Sequence, residues 1–269
     1  MVDHILGISD HLRGQDIAVW AALRKTGFEG RMVLFAYDVN PELERFCSER
    51  SLRLENLGPR PSHPKSAKKE RWHHYIDYIR QECGPHDRVI ATDVRDIFFQ
   101  ENPSPWLDLH MAEHDLITSS EDILYQNEAW NRSNALMVYE SDFYEKRLSH
   151  LKVINCGVIV GRPLPFMELC QAMHDNVYRE PRCNSDQIVF NAILSENSTW
   201  RILTTGHADG FVVHGAIMGS NAPRQIVLHR EADVPKISLG KLRSPSGEPY
   251  VIVHQYDRDP EWGKLMSAE

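Results

Sequence analysis

The sequence predicts an α/β fold, a mostly parallel sheet flanked by helices with a smaller β-containing C-terminal part. Three observations carry this. Short apolar runs alternate with stretches of helical spacing from the N-terminus onward, the rhythm of a parallel sheet covered on both faces. The run Val89-Ile90-Ala91 reads as a buried strand that ends abruptly in carboxylates. After Leu194 the pattern becomes shorter and more β-like, through Phe211 to His214 and Tyr250 to His254.

The elements follow in order. His4 to Ser9 is the opening strand, and Ile17 to Leu23 has helical spacing. A second strand, Met32 to Ala36, ends at Asp38; Asn40-Pro41 starts a helix over Glu42 to Arg50, since Asn caps and Pro suits a first helical turn. Residues 57–69 break the composition with Pro59, Pro61 and Pro64, then Lys65, Lys68 and Lys69. A helix resumes at Glu70 with Trp72, Tyr75, Ile76 and Ile79 on one face, and feeds the strand before Asp93. Asp115 to Thr118 is a strand, followed by a polar, aromatic stretch from Ser119 to Asn134; Lys152 to Gly161 is a strand with a glycine in its middle. Helices follow around 165–176 and 186–194.

The 269 residues, with 42% apolar and 25% charged content, suit one large α/β domain. A formal net charge of −8 argues against a general nucleic-acid binder, which needs a basic face. No apolar run is long enough for a transmembrane helix, and the N-terminus has no signal-peptide pattern. Five cysteines without a CxxC pair indicate neither a disulfide framework nor a zinc knuckle, so a reducing, cytoplasmic setting is expected.

Five groups of residues carry chemistry. Asp93 and Asp96, set around Arg95 at a strand end, suit a pocket holding a divalent cation beside a phosphate, because hard cations share carboxylates with substrate phosphates. The duller reading is helix capping or ion pairing, with Arg95 orienting a carboxylate or pairing with Glu101. Asn155 and Gly157 interrupt an apolar strand, which suits either a substrate lying against Gly157 and bonding the Asn155 amide, or a β-bulge with a satisfied Asn. In Asn184-Ser-Asp186-Gln187 the first two residues could cap a helix, with Asp186 and Gln187 facing a substrate from its first turn. His254 ends an apolar run and competes with His214 as a third metal ligand. The stretch from Tyr125 to Asn134, with Trp130, suits stacking on a sugar or a surface loop.

Taken together and in order, the strand from His4, Thr92-Asp-Val-Arg-Asp96, Ile154-Asn-Cys-Gly157, Ser185-Asp-Gln187 and Val253-His-Gln-Tyr-Asp257 resemble the GT-A family of nucleotide-sugar-dependent glycosyltransferases, nearest to small bacterial and viral enzymes that build surface glycans. The resemblance implies a Rossmann-like sheet in a single domain over 1–269. Residues 1–110 would form the nucleotide-sugar half, and 111–269 the acceptor half with a C-terminal metal-site segment. It implies Mn²⁺ or Mg²⁺ held by Asp93, Asp96 and His254, a donor that is a UDP-sugar, and a glycan or glycoconjugate acceptor. Gly7, Ile8, Ser9 and Asp38 would line the nucleotide, Arg71 would approach the donor sugar, and Asn155, Gly157, Asp186 and Gln187 would surround the transferred sugar. The chain departs from the family's D-x-D pattern, because Arg95 stands where the second acid is usual. An inverting enzyme needs a base for the acceptor hydroxyl, with Asp186 the first candidate, then Glu121 or Asp122; a retaining enzyme would instead place Asp186 or Gln187 by the anomeric carbon. The competing readings are a metal-dependent phosphohydrolase or nucleotidyltransferase on a similar sheet, and a non-catalytic nucleotide- or glycan-binding module.

Overall fold

The computed structural model describes residues 1–9, 13–60, 66–178 and 185–267. Lys65 and Asn184 lie outside the described residues, as do the Lys68 and Ser185 side chains. In chain order the first elements are β1 (Asp3–Ser9), α1 (Ala18–Ala21), β2 (Arg31–Ala36), α2 (Pro41–Glu49), β3 (Arg53–Asn56) and α3 (Ser66–Glu82). Then come β4 (Arg88–Thr92), β5 (Ile97–Phe99), α4 (Pro103–His110), β6 (Leu116–Leu124), α5 (Ala129–Val138), α6 (Ser141–Arg147) and β7 (Lys152–Gly161). The rest are α7 (Pro163–Asn176), α8 (Ser185–Glu196), β8 (Ile202–Thr205), β9 (Val212–His214), α9 (Gly215–Met218), α10 (Arg224–His229), β10 (Lys236–Ser238), β11 (Lys241–Arg243), β12 (Ile252–His254) and α11 (Pro260–Ser267).

The protein is α/β. Seven strands form one sheet in the order β3-β2-β1-β4-β7-β6-β8. All neighbours are parallel except β7, which runs against both β4 and β6. Alternate residues of each strand enter different cores, as the two-residue period requires. Ile5, Leu34, Ile90, Ile117 and Val160 join the Trp20, Leu43 and Leu107 side, under α1, α2 and α4. Leu6, Val33, Val89, Leu116 and Ile159 join the side made by Trp72, Tyr75 and Ile79 of α3 with Phe166, Leu169 and Phe190 of α7 and α8. The Asn40 side chain accepts from the Leu43 N–H and caps α2, with Pro41 in the first turn.

Two features position the site. The reversed strand β7 brings its N-terminal half, with Asn155 and Gly157, to the edge where β4 and β6 end. A separate three-stranded sheet, β5-β12-β9, brings the C-terminal segment to the same edge: β12 pairs antiparallel with β5 in the register His254↔Ile97, and Asp96 directly precedes Ile97. Strands of three or four residues such as β3, β5 and β8 are too short for periodicity to reveal. The predicted strand at 115–118 continues instead to Leu124. Its polar residues Ser119 to Asp122 are buried against other polar groups rather than exposed in a loop.

Candidate active site

The turn after β4 holds Asp93 and Asp96. The Asp93 N–H donates to the Gly157 carbonyl (2.9 Å), which ties the acidic turn to β7, and the Asp96 carbonyl accepts from the Gln255 N–H (2.7 Å), which ties it to the end of β12. His254 therefore stands over the carboxylates, its Nε2 3.6 Å from Asp93 Oδ2 and 3.9 Å from Asp96 Oδ1. One potential ligand atom from each of the three lies within 4.8 Å of the others. The His254 ring is buried, and its Nε2 makes no hydrogen bond among the described residues. Burial works against charge on this ring, but Asp93 and Asp96 outweigh it and hold its pKa above the ordinary value. Two carboxylates and an imidazole whose Nε2 makes no hydrogen bond fit a small divalent cation, the carboxylates suiting Mg²⁺ and Mn²⁺ and the imidazole favouring a transition ion such as Mn²⁺ over Mg²⁺.

Gly157 is required by this arrangement. A Cβ there would stand 2.5 Å from His254 Cε1 and 2.8 Å from Nε2, so only glycine lets the ring close. The group that approaches Gly157 is thus the chain's own imidazole. Asn155 sits in a bulge, since Thr118 pairs with Ile159 while Ser119 pairs with Asn155. Its Oδ1 accepts from the Gly157 N–H (2.7 Å) and its Nδ2 donates to Glu121 (2.7 Å).

Arg71, from α3, is buried with its guanidinium 4.4 Å from the Trp72 ring centre. It donates to Asp93 (3.2 Å), to Asp186 at the start of α8 (3.4 Å) and to the Cys156 carbonyl (3.5 Å). Asp186 is committed twice, because its other oxygen accepts from the Gln187 N–H (2.9 Å). Gln187 Nε2 donates to Asn131 (2.9 Å) and lies 3.4 Å from Glu121; Asn131 in turn donates to Glu128, whose carboxylate caps α5.

Apart from Arg71, which stands behind Asp93 and Asp186 and does not itself line the wall, these groups line one cavity of about 540 Å³. Asp93, Asp96 and His254 stand in its wall with Glu121, Asn155, Gly157, Asp186 and Gln187; Trp130, Asn131, Ile226 and Arg258 are among the other residues that line it. Trp130 is 48% exposed. Glu121 is buried, and burial together with the nearby Glu128 raises its pKa to about 7 against the hydrogen bonds from Asn155 and Gln187.

Other candidates stand elsewhere. Asp122 does not line the cavity: its carboxylate turns the opposite way from Glu121, accepting from the His207 N–H (2.7 Å) and Lys152 Nζ (2.9 Å) with His207 Nδ1 at 3.0 Å. Arg95 is exposed, and Glu101 pairs with Lys241 (2.5 Å). Gly7 is level with Thr92 in the β1–β4 register, and a Cβ on it would stand 2.2 Å from Val94 Cγ1, so its smallness serves packing. The Ser9 carbonyl accepts from the Tyr37 N–H (3.3 Å), Ile8 packs against the α3 side of the core, and Asp38, at φ 50°, accepts from the Arg60 N–H (3.1 Å). None of Gly7, Ile8, Ser9 and Asp38 lines the cavity.

Nothing in the sequence marks Ser119, Glu128, Asn131 or His207 individually, although the first three fall within the polar, aromatic stretch at 119–134. Glu128 and Asn131 are embedded in the polar stretch at 125–134 without a strand or helix period to mark them. His207 is separated in sequence from everything it touches except His214. Among the described residues no helix is long and apolar enough to cross a membrane, and Cys47, Cys83, Cys156 and Cys170 are free thiols. No protein-family model matches the chain, and no curated protein is significantly similar to it in sequence.

Proposed function

We propose that the chain is a GT-A-type glycosyltransferase that moves a sugar from a nucleoside-diphosphate sugar, a UDP-sugar in the first instance, to a hydroxyl of a glycan or glycoconjugate. The observation that carries the reading is the convergence of Asp93, Asp96 and His254 on one cavity that also contains the buried carboxyl of Glu121. Asp93, Asp96 and His254 would hold Mn²⁺ or Mg²⁺, which, when bound, stabilises the negative charge that develops on a departing diphosphate. Arg71, fixed between Asp93 and Asp186, adds a buried positive charge on the same side. Trp130 offers an exposed aromatic face at the cavity rim, suited to the apolar face of an acceptor sugar.

Glu121 is the better base than Asp186. A base works best when its pKa lies near the working pH, and a carboxyl raised to about 7 meets that condition. Asp186 is held in an ion pair with Arg71 and a bond to its own helix, so its role is to orient Arg71. In this reading Glu121 takes the proton from the acceptor hydroxyl, and Asn155 keeps the carboxylate oriented toward the cavity.

The test is a thermal-shift and calorimetry screen of UDP, GDP, CMP and their sugars, with and without Mn²⁺. The expected result is stabilisation by one nucleoside diphosphate that requires Mn²⁺ and is lost in Asp93→Ala, since a ligand that binds only the native state raises the melting temperature. Folded protein whose melting is moved by no nucleotide would sink the proposal.

A further inference from the structure

Behind the His254 ring lies a buried chain of histidines that the catalytic reading does not use. His214 ends β9 and stands beside His254 in the parallel β9–β12 register. It is fully buried, with its Nδ1 3.0 Å from His254 Nδ1 and its Nε2 3.0 Å from Ser119 Oγ. Its backbone N–H donates to His207 Nε2 (3.2 Å), and His207 Nδ1 lies 3.0 Å from Asp122 Oδ2. From these contacts we infer that His214 is a positioning residue, which fixes the His254 imidazole with Nε2 aimed at Asp93 and Asp96. The inference rests on the proposed metal site for its functional meaning, though not for its geometry.

Proton counting assigns every ring. His207 Nε2 accepts a backbone N–H and so carries no proton, which puts the His207 proton on Nδ1, donating to Asp122. At the His214–His254 contact two Nδ1 atoms face each other, and one must donate. A cation bound at His254 Nε2 needs that lone pair, so the proton must sit on His254 Nδ1. Were His254 instead an imidazolium between the two carboxylates, its Nδ1 would still carry a proton. In either state His254 donates and His214 Nδ1 accepts, leaving His214 Nε2–H to donate to Ser119 Oγ. A ligating histidine whose other nitrogen is held in this way keeps both tautomer and ring orientation, and loss of such a partner typically costs about 10–100-fold in metal affinity. Here the partner is a second histidine, itself anchored by Ser119, His207 and Asp122.

Two measurements test this on the full chain. Long-range ¹⁵N–¹H NMR of histidine-labelled, metal-free protein should find His214 as the Nε2–H tautomer, His207 as the Nδ1–H tautomer, and a proton on His254 Nδ1. A proton on His214 Nδ1 would overturn the proposal whatever the fate of the metal site. Calorimetric titration with Mn²⁺ should then find His214→Phe about 10–100-fold weaker than the natural protein. His214→Asn, which can offer a carbonyl oxygen close to the position of Nδ1, should recover most of that loss. Folded His214→Phe that binds Mn²⁺ as tightly as the natural protein would also overturn it. Natural protein with these tautomers but no Mn²⁺ binding would instead strike the metal reading, leaving His214 as the orienting partner of an imidazolium.

Discussion

Two pairs of neighbouring carboxylates flank the crevice and meet opposite fates. Asp93 and Asp96 stand in a turn, three residues apart, and both reach the cavity beside His254. Glu121 and Asp122 are adjacent on β6, where the ladder to β7 is irregular and Asp122, at φ 50°, turns its carboxylate away from that of Glu121. Glu121 enters the cavity wall with amide donors from Asn155 and Gln187, while Asp122 is drawn into an ion pair with Lys152 and hydrogen bonds from His207. Burial accordingly raises the Glu121 pKa to about 7, whereas at Asp122 burial is outweighed by His207 and Lys152, which hold its carboxyl far below the usual range. Two adjacent carboxyls thus titrate in opposite directions depending on which partners each one meets.

Substitutions can break this contrast in order of expected effect. Asp93→Asn should lower Mn²⁺-dependent transfer by about 10³-fold or more, equivalent to the several kcal/mol a bound cation supplies, while leaving the melting temperature within a few degrees. A fall in activity matched by a fall in melting temperature would assign Asp93 to the fold instead. Asp122→Ala should do the reverse: about 3 kcal/mol of stability lost in chemical denaturation, because His207 is left buried with an unpartnered donor and an αL backbone position loses the side chain that tolerates it. Wild-type stability in this variant would mean that the Asp122 network is ornamental.

Glu121→Gln sharpens the comparison through pH. The natural Glu121 carboxyl keeps its proton in the folded chain up to about pH 7, but releases it near pH 4 when unfolded. Its stabilising contribution is therefore complete below about pH 4 and is lost progressively as pH rises to about 7, to a total of roughly 3 kcal/mol. The glutamine variant lacks that loss, so its stability relative to the natural protein should climb across this interval in metal-free urea titrations, while transfer falls about 10²-fold or more. A pH-independent difference would place the Glu121 pKa near its ordinary value. The smallest effect is expected at Trp130, where Trp130→Ala should cost under about 1 kcal/mol of stability, as an exposed side chain, yet raise KM for a glycan acceptor several-fold. An unchanged KM would move the acceptor away from this rim.

Much of the framework is legible in the residues themselves. The runs at 4–9, 32–36, 89–91 and 152–161 are apolar enough to be read as strands of one sheet, and Asn40-Pro41 marks the start of α2. The grouping of Asp93 with Asp96 is likewise local, since three residues in one turn cannot separate far. Of the second sheet, β9 and β12 fall within the β-like runs at 211–214 and 250–254, but the three residues of β5 carried too little period to be seen, and with them went the reason for His254 to stand beside the acidic turn.

What the sequence by itself determined is therefore the α/β class, the acidic strand end and the identity of the polar groups interrupting apolar runs, because these depend on local period and on the cost of burying charge. Tertiary structure alone decided which of those groups meet. The β5–β12 pairing brings His254 to Asp96 across a separation that no local pattern encodes, the reversal of β7 turns Gly157 toward that ring, and Asp122 is claimed by His207 rather than by the cavity. Those choices follow from strand order and from which donors each buried carboxylate finds within reach, and both are properties of the folded chain.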